Sequence, residues 1–479
     1  MSMRSFPLTR THSHPLAMPM FAVIPAVLGM LVWRPHGWLG CLLLLPLLYG
    51  LASGYGQRLA VMSGYYIGAL WTLPDTFNAF WPSWSPWAGI GGLAGAVLLL
   101  LLPWMLLSPA WFWLKPPHSG GCHGFWRDKA SSKFAPQVAW IETLGRDGEL
   151  FNALRFFGGL LATAIPPLGA VGMVSPLTSA GIWFPGMGIT GLLLTLVGLS
   201  LIAAVGTILR KTIFASRKNP AMPSLSGPGA RSDMPRHLTS HGLAVACVAL
   251  ILLSVYTNVT EQPVHRARSW VSVPTRIPSA RGKMSAADWA RRQIFLSRLA
   301  VLAINSHPDH THILFPEDVA GVFARNFLTV WYWSAATKLA AEHHDTLLLG
   351  AEDAGPHDTY TDSLNLMGFH SGTISASQPA PISEWRPWAT SGASASWWRF
   401  GPWKVGPTPV ALAMCYEQTL VWPLAWDFMG RPSPRIILAP SNHGWAQRGA
   451  AETGTQRLAI WAWGRLYGVP VVAADNAPA

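Results

Sequence analysis

Seven apolar stretches occupy the first 260 residues, and the loops between them differ sharply in charge. The stretches run approximately Leu16 to Trp33, Trp38 to Ser53, Leu59 to Leu73, Ala88 to Leu114, Leu150 to Val174, Met187 to Leu209 and Gly242 to Val259. A membrane-crossing helix needs roughly 20 apolar residues, somewhat fewer where the bilayer thins. The first three stretches are short and broken by Pro or Gly, so about seven helices are expected. The loop Lys115 to Glu149 carries Lys115, Arg127, Lys129, Lys133 and Arg146; Arg210 to Arg236 carries six Lys or Arg residues. The alternate loops, Pro74 to Trp87 and Ser175 to Gly186, carry none. That asymmetry predicts cytoplasmic basic loops. With an odd number of spans, everything after Val259 then lies on the opposite, periplasmic face of a bacterial inner membrane.

Composition agrees. Half the residues are hydrophobic, 12% are charged, and the mean hydropathy of +0.28 is high for a soluble chain. The 26 tryptophans suit membrane interfaces. A net charge of +12 does not indicate nucleic-acid binding, because the basic residues flank apolar stretches and form no patch interleaved with aromatics. A transporter would place charges inside the spans, where they are nearly absent.

After Val259 the composition becomes that of a soluble domain. Residues 261–284 are basic and Pro-punctuated, predicting an extended linker, and 285–479 predict one domain. Strand-like runs alternate with helical spacing there. Helices are expected over Ser285 to Asn305, Asn326 to His343, Trp422 to Met429 and Glu452 to Tyr467, with Ser285 as a cap. Strands are expected over His312 to Phe315, Thr346 to Gly350, Tyr360 to Gly368, Val410 to Met414, Arg435 to Ala439 and Val469 to Ala473. That alternation predicts an α/β layered domain.

Three of these strands end on polar or reactive residues, Glu317, Cys415 and Asn442, as an active site at one sheet edge requires. Singly, each has a plainer reading. Cys415 is then a small buried hydrophobe, Glu317 a carboxylate favoured near a helix start, and Asn442 a turn residue. The four cysteines have neither CxxC nor zinc spacing. The crowded histidines His307, His310, His312, His343 and His344 lack a supporting carboxylate geometry, so no metal is expected. Glu352-Asp353 stands where a strand is expected to end in a turn, and reads as solvated.

In combination, Ile313-Leu-Phe-Pro-Glu317, Ala413-Met-Cys415-Tyr-Glu417 and Pro440-Ser-Asn442-His-Gly-Trp445 resemble three blocks of the nitrilase (carbon–nitrogen hydrolase) superfamily, in its order. Cys-Tyr-Glu and Ser-Asn-x-x-Trp are nearest to apolipoprotein N-acyltransferase. The resemblance tightens towards the conjugal transfer protein TraB family of plasmids. It extends there into Gly64-Tyr-Tyr-Ile-Gly-Ala69, Leu73-Pro74, Ile165-Pro-Pro-Leu-Gly169, Ser175-Pro-Leu-Thr-Ser-Ala-Gly181 and Phe184-Pro-Gly186. It implies a multi-span α-helical membrane domain followed by an αββα nitrilase-like sandwich, and acyl transfer or C–N hydrolysis through a thioester, with no cofactor. By that resemblance Cys415 is the nucleophile, Glu317 its general base, and Glu384 and Glu417 supporting carboxylates. Asn442, Trp445 and Tyr416 line the pocket. Implied partners are membrane lipids and a lipoprotein, pilin or other transfer-apparatus protein, with no direct nucleic-acid contact.

The sequence departs from the family at two places. A lysine that stabilises the oxyanion belongs five residues before Pro381, and Ala376 stands there; no lysine lies between Lys338 and Lys404. Loss of one oxyanion donor costs roughly a hundredfold or more in rate. Arg386, Arg399 and Lys404 are the candidate substitutes. The domain is also expected to be short at its C-terminal end, without the closing strands of the superfamily or the last helix of the acyltransferase. Two alternatives therefore stand beside the cysteine enzyme: an apolipoprotein N-acyltransferase, and a catalytically degenerate nitrilase-fold scaffold in the transfer or pilus machinery.

Overall fold

The computed structural model describes residues 17–81, 84–85, 87–107, 148–218, 234–262, 264, 267–278, 284–323, 327–355, 359–378, 392–444 and 451–477. Most of the two basic loops lies outside that set.

The helical half comprises α1 (Ala17–Val32), α2 (Leu44–Leu51), α3 (Tyr55–Ala69), α4 (Leu73–Phe80), α5 (Trp87–Leu106), α6 (Glu149–Ala164), α7 (Ala180–Trp183), α8 (Gly188–Lys218) and α9 (Met234–Thr260). Three of them contain segments long and apolar enough to cross a membrane: Trp87–Leu106, Gly188–Ile213 and Gly242–Thr260. Two shorter apolar segments, Pro19–Val32 and Leu39–Leu51, accompany them. Helix α3 is less apolar because it is an inner helix, with Val61, Met62, Tyr65 and Tyr66 all buried. It touches α1 backbone to backbone. A Cβ on Gly64 would lie 2.0 Å from Ala22 O, and one on Gly68 1.8 Å from Ala26 O. Small residues four apart allow that approach. The sequence did not signal α4 or the four-residue α7.

Polar contacts identify the two ends of this bundle. At one end the Arg58 and Arg210 guanidiniums both donate to Ala52 O (3.4 and 3.2 Å), and Lys211 pairs with Glu149 at 2.7 Å. At the other end the C-terminal half docks. Thr455 Oγ1 donates to Trp33 O (2.6 Å), Trp422 Nε1 to Gly169 O (3.2 Å), and Arg465 pairs with Glu261. The docking is close enough that a Cβ on Gly181 would stand 1.9 Å from Ala462 O.

The C-terminal half contains two sheets. The first has the order β1 (Trp270–Ser272), β2 (His312–Leu314), β3 (Thr346–Ala354), β4 (Thr359–Gly368), β5 (Gly372–Ser375), with β6 (Gly392–Ala393) beside β4. The second runs β10 (Val471–Asn476), β9 (Ile436–Asn442), β8 (Thr408–Leu412), β7 (Trp403–Val405). Strands β1, β2 and β3 are parallel, as are β8, β9 and β10. Strand β1 lies inside the stretch read as a linker. Its backbone completes an edge beside β2, and Thr275 bridges to Asn476 of the second sheet.

Strand alternation sorts the side chains into layers. Leu314, Leu348, Leu364 and Leu366 face Val410, Leu412, Ile436 and Leu438 between the sheets. Their neighbours Ile313, Leu347 and Leu349 pack outward on α10 (Ala286–Asn305) and α11 (Phe327–Glu342). The Ser285 hydroxyl caps α10 by accepting from Asp288 N–H at 3.1 Å. On the second sheet Ala411, Ala413, Ile437 and Ala439 face α12 (Trp422–Met429) and α13 (Ala451–Tyr467). That last core continues without a break into Trp33, Leu177, Ala180 and Leu199 of the helical half. The architecture is an αββα sandwich whose one outer layer rests on a helix bundle.

Candidate active site

Cys415 stands just past β8, at the first residue of a 3₁₀ turn over Cys415–Thr419. Its φ is +39°, a left-handed conformation that costs a non-glycine residue on the order of 1–3 kcal/mol and persists only where its surroundings impose it. Glu417 does the imposing. Its buried carboxylate accepts the N–H groups of Ser377 and Gln378 (both 2.7 Å) and of Met414 (3.0 Å), tying the turn to the chain leaving β5. Burial raises the Glu417 carboxyl to about 8, and those three donors pull against the rise.

Glu317 follows Pro316 past the end of β2. It can approach β3 because position 350 is glycine, where a Cβ would meet Pro316 O at 1.9 Å. Its carboxylate is hydrogen-bonded to Cys415 and to Asp362, and accepts from Asn442 N–H at 3.1 Å. Burial raises Glu317 to about 7, opposed by the hydrogen bond with Cys415, the nearby His443 charge, the Asn442 N–H and the Asp362 hydrogen bond. The Cys415 thiol is pushed well above its usual range, chiefly by burial and then by the Glu317 carboxylate. A thiol beside a carboxylate of nearly neutral pKa is poised for proton transfer between the two.

Four further residues complete the site, none of them singled out from the sequence. Asp362 is buried on β4, with Ala376 as its neighbour across the ladder: Ala376 N–H donates to Asp362 O at 2.8 Å. The position where the resemblance led a lysine to be expected is thus a buried methyl beside a carboxyl group. On the opposite flank His443 is nearly inaccessible. Its Nδ1 lies 2.6 Å from Asp475 Oδ1 and its Nε2 2.7 Å from Gln456 Oε1. The Gln456 amide nitrogen in turn lies 3.9 Å from Cys415 Sγ. Burial alone would raise Asp475, but its hydrogen bond to His443, the His443 charge and Arg457 hold it below the usual carboxylate range. A polar residue inside the strand Tyr360 to Gly368, and a histidine next to Asn442, were the available signals.

Other expected residues sit elsewhere. Asn442 meets the site through its backbone N–H; its side-chain oxygen accepts from Gly444 N–H and the Asn476 amide. Tyr416 turns away from the sulfur, its hydroxyl donating to Ala170 O at 2.9 Å in the helical half. Arg399 is engaged by Asp427 (2.6 Å) and Gly401 O and lies over the Trp403 ring. Lys404 is exposed on the edge strand β7. Glu384, Arg386 and Trp445 lie outside the described residues. Glu352 and Asp353 are half-buried within β3 rather than in a turn, with Asp353 accepting from Asn365 at 3.0 Å. Among the described residues no His/Cys/Asp/Glu group is arranged to hold a metal ion.

No family model matches the chain. Over 461 residues, 92% of this chain and 94% of the relative, it is 25% identical to the probable conjugal transfer protein TraB of Sinorhizobium fredii. Over 454 residues it is 26% identical to the conjugal transfer protein TraB of Agrobacterium fabrum, covering 92% and 89%. Two similar solved structures are an amidase from Nesterenkonia sp. and a carbon–nitrogen hydrolase from Helicobacter pylori. Each is 12% identical with a TM-score of 0.30, covering 45% and 44% of this chain and 81% and 75% of theirs. The chain thus resembles TraB proteins along nearly its whole length, as its motifs implied.

Proposed function

We propose that this protein is a membrane-embedded cysteine enzyme of conjugal plasmid transfer, moving or hydrolysing an acyl group through a thioester at Cys415. The observation that carries the reading is the buried Glu317 carboxylate hydrogen-bonded to a thiol held at a strand end in a left-handed conformation. In the step this implies, Cys415 Sγ gives its proton to Glu317 and attacks an acyl carbonyl carbon. The tetrahedral adduct collapses, the C–N or C–O bond breaks, and the leaving amine or alcohol takes the proton from Glu317. An incoming amine or water then yields its proton to Glu317 as it attacks the thioester, and the thiol is regenerated.

The membrane part of the reading rests on α9, whose Ile251, Leu252, Val255, Tyr256 and Val259 are all exposed. An apolar helix turned outward belongs in lipid. Arg58, Arg210 and Lys211 cluster at the bundle end opposite the docked domain, the side that the positive-inside bias assigns to the cytoplasm. The domain then faces the periplasm, and a membrane-presented acyl donor is within its reach.

One observation favours a second reading, a degenerate scaffold of the transfer machinery: Ala376 in place of a cation. A Cys415→Ala variant, scored for transfer frequency at wild-type protein level, separates the two. Loss of transfer supports the enzyme, and undiminished transfer leaves the scaffold.

A further inference from the structure

Among the described residues two carboxyl groups, Glu317 and Asp362, act on the sulfur and no lysine does, so an anionic sulfur between them needs a positive charge from elsewhere. We propose that His443 supplies that charge and passes it to the Cys415 sulfur through the Gln456 carboxamide, in the part the family gives to lysine. The inference rests on the reading of Cys415 as nucleophile.

Asp475 Oδ1, at 2.6 Å from His443 Nδ1, can only accept, so Nδ1 carries a proton. The Gln456 amide nitrogen faces Cys415 Sγ at 3.9 Å, which turns its oxygen onto His443 Nε2 at 2.7 Å. That oxygen is also an acceptor, so Nε2 carries a proton as well. A ring donating from both nitrogens is an imidazolium. Asp475 from β10 balances it and is itself met by Arg457 of α13 at 3.2 Å. Glu317, past β2, is the other charged group acting with His443. The groups acting on the sulfur are Glu317, Asp362 and the Asn442 N–H. The amide therefore points the positive end of a polarised chain at the sulfur, while Glu317 remains free to take the thiol proton. His443 acts through Gln456 and is a positioning residue; it touches neither sulfur nor substrate.

The test is the pH dependence of iodoacetamide alkylation at Cys415 in the full chain in detergent. Mass spectrometry separates Cys415 from Cys41, Cys122 and Cys247. In His443→Gln and Gln456→Leu the alkylation midpoint is expected to rise by about one pH unit, a roughly tenfold slower reaction below it. The double variant is expected to be no slower than the slower single one, because the two residues act as a unit. Asp475→Asn carries the same expected direction and stands in if His443→Gln does not fold. Folded variants that keep the wild-type midpoint overturn the assignment. Alkylation needs no acyl substrate. A shifted midpoint together with undiminished transfer in Cys415→Ala would therefore remove the enzymatic reading and leave the charge assignment standing.

Discussion

Replacing Glu317 with Gln should make the protein less active and, at alkaline pH, more stable. The amide keeps the volume and an oxygen for the Asn442 N–H but cannot ionise. A carboxyl that titrates at about 7 instead of near 4.5 makes its ionised form roughly 3 kcal/mol harder to hold in the folded state. Its folded pKa is raised, so its stability contribution is complete below about pH 4.5 and is lost as pH rises through 7. The wild type should therefore weaken between pH 5 and pH 8 by roughly 2–3 kcal/mol more than Glu317→Gln does. Glu417 and Asp427, raised to about 8 and about 7, titrate in both proteins and drop out of the difference. Denaturant unfolding at the two pH values measures it. In parallel, the burst of Cys415 acylation by a p-nitrophenyl ester, followed by intact mass, should fall about 10²- to 10⁴-fold and lose its ascending limb near pH 7. A Glu317→Gln protein that retains that limb, or is the less stable of the two at pH 8, would refute the assignment of Glu317 as a buried base.

Glu417→Ala strips the acceptor from three buried N–H groups at once and should cost roughly 3–5 kcal/mol, read as loss of the folded fraction in detergent. Arg399→Ala leaves Asp427 buried and unpaired. It should destabilise by about 3–5 kcal/mol while leaving the pH midpoint of Cys415 acylation where it was. Gly68→Leu drives a side chain into the Ala26 carbonyl and should abolish a monodisperse peak on size-exclusion chromatography. Gly91→Ala, where an added Cβ meets nothing within 4 Å, should elute as wild type.

Local pattern was enough to locate both α10 and the strand before Cys415. A capping serine ahead of 3.6-residue spacing and an apolar run ahead of a polar stop are short-range signals. Glu317 and Cys415 are hydrogen-bonded because each follows a strand at the same edge of the sandwich. The rest of the site depends on contacts across long sequence distances. Asp362 reaches Glu317 only through the β3–β4 pairing, and Gln456 reaches Cys415 only because α13 crosses the back of the second sheet. Neither residue carries a motif. Strand β1 escaped notice because three residues in a Pro-rich stretch show no periodicity; pairing with β2, not propensity, makes them a strand. Asn442 shows a subtler failure. The motif named the residue, while the group that reaches Glu317 is its backbone.

Helix α13 is shared between the sheet that carries Cys415 and the bundle beneath it, with Trp463 and Leu466 buried in the same core as Trp33 and Leu177. The sulfur therefore has a fixed height above the ends of the helices. On the proposed reading, the bilayer surface becomes the second jaw of the site. Molecules are sorted by how far their reactive carbonyl projects from the membrane, so that reach selects the substrate before any pocket does.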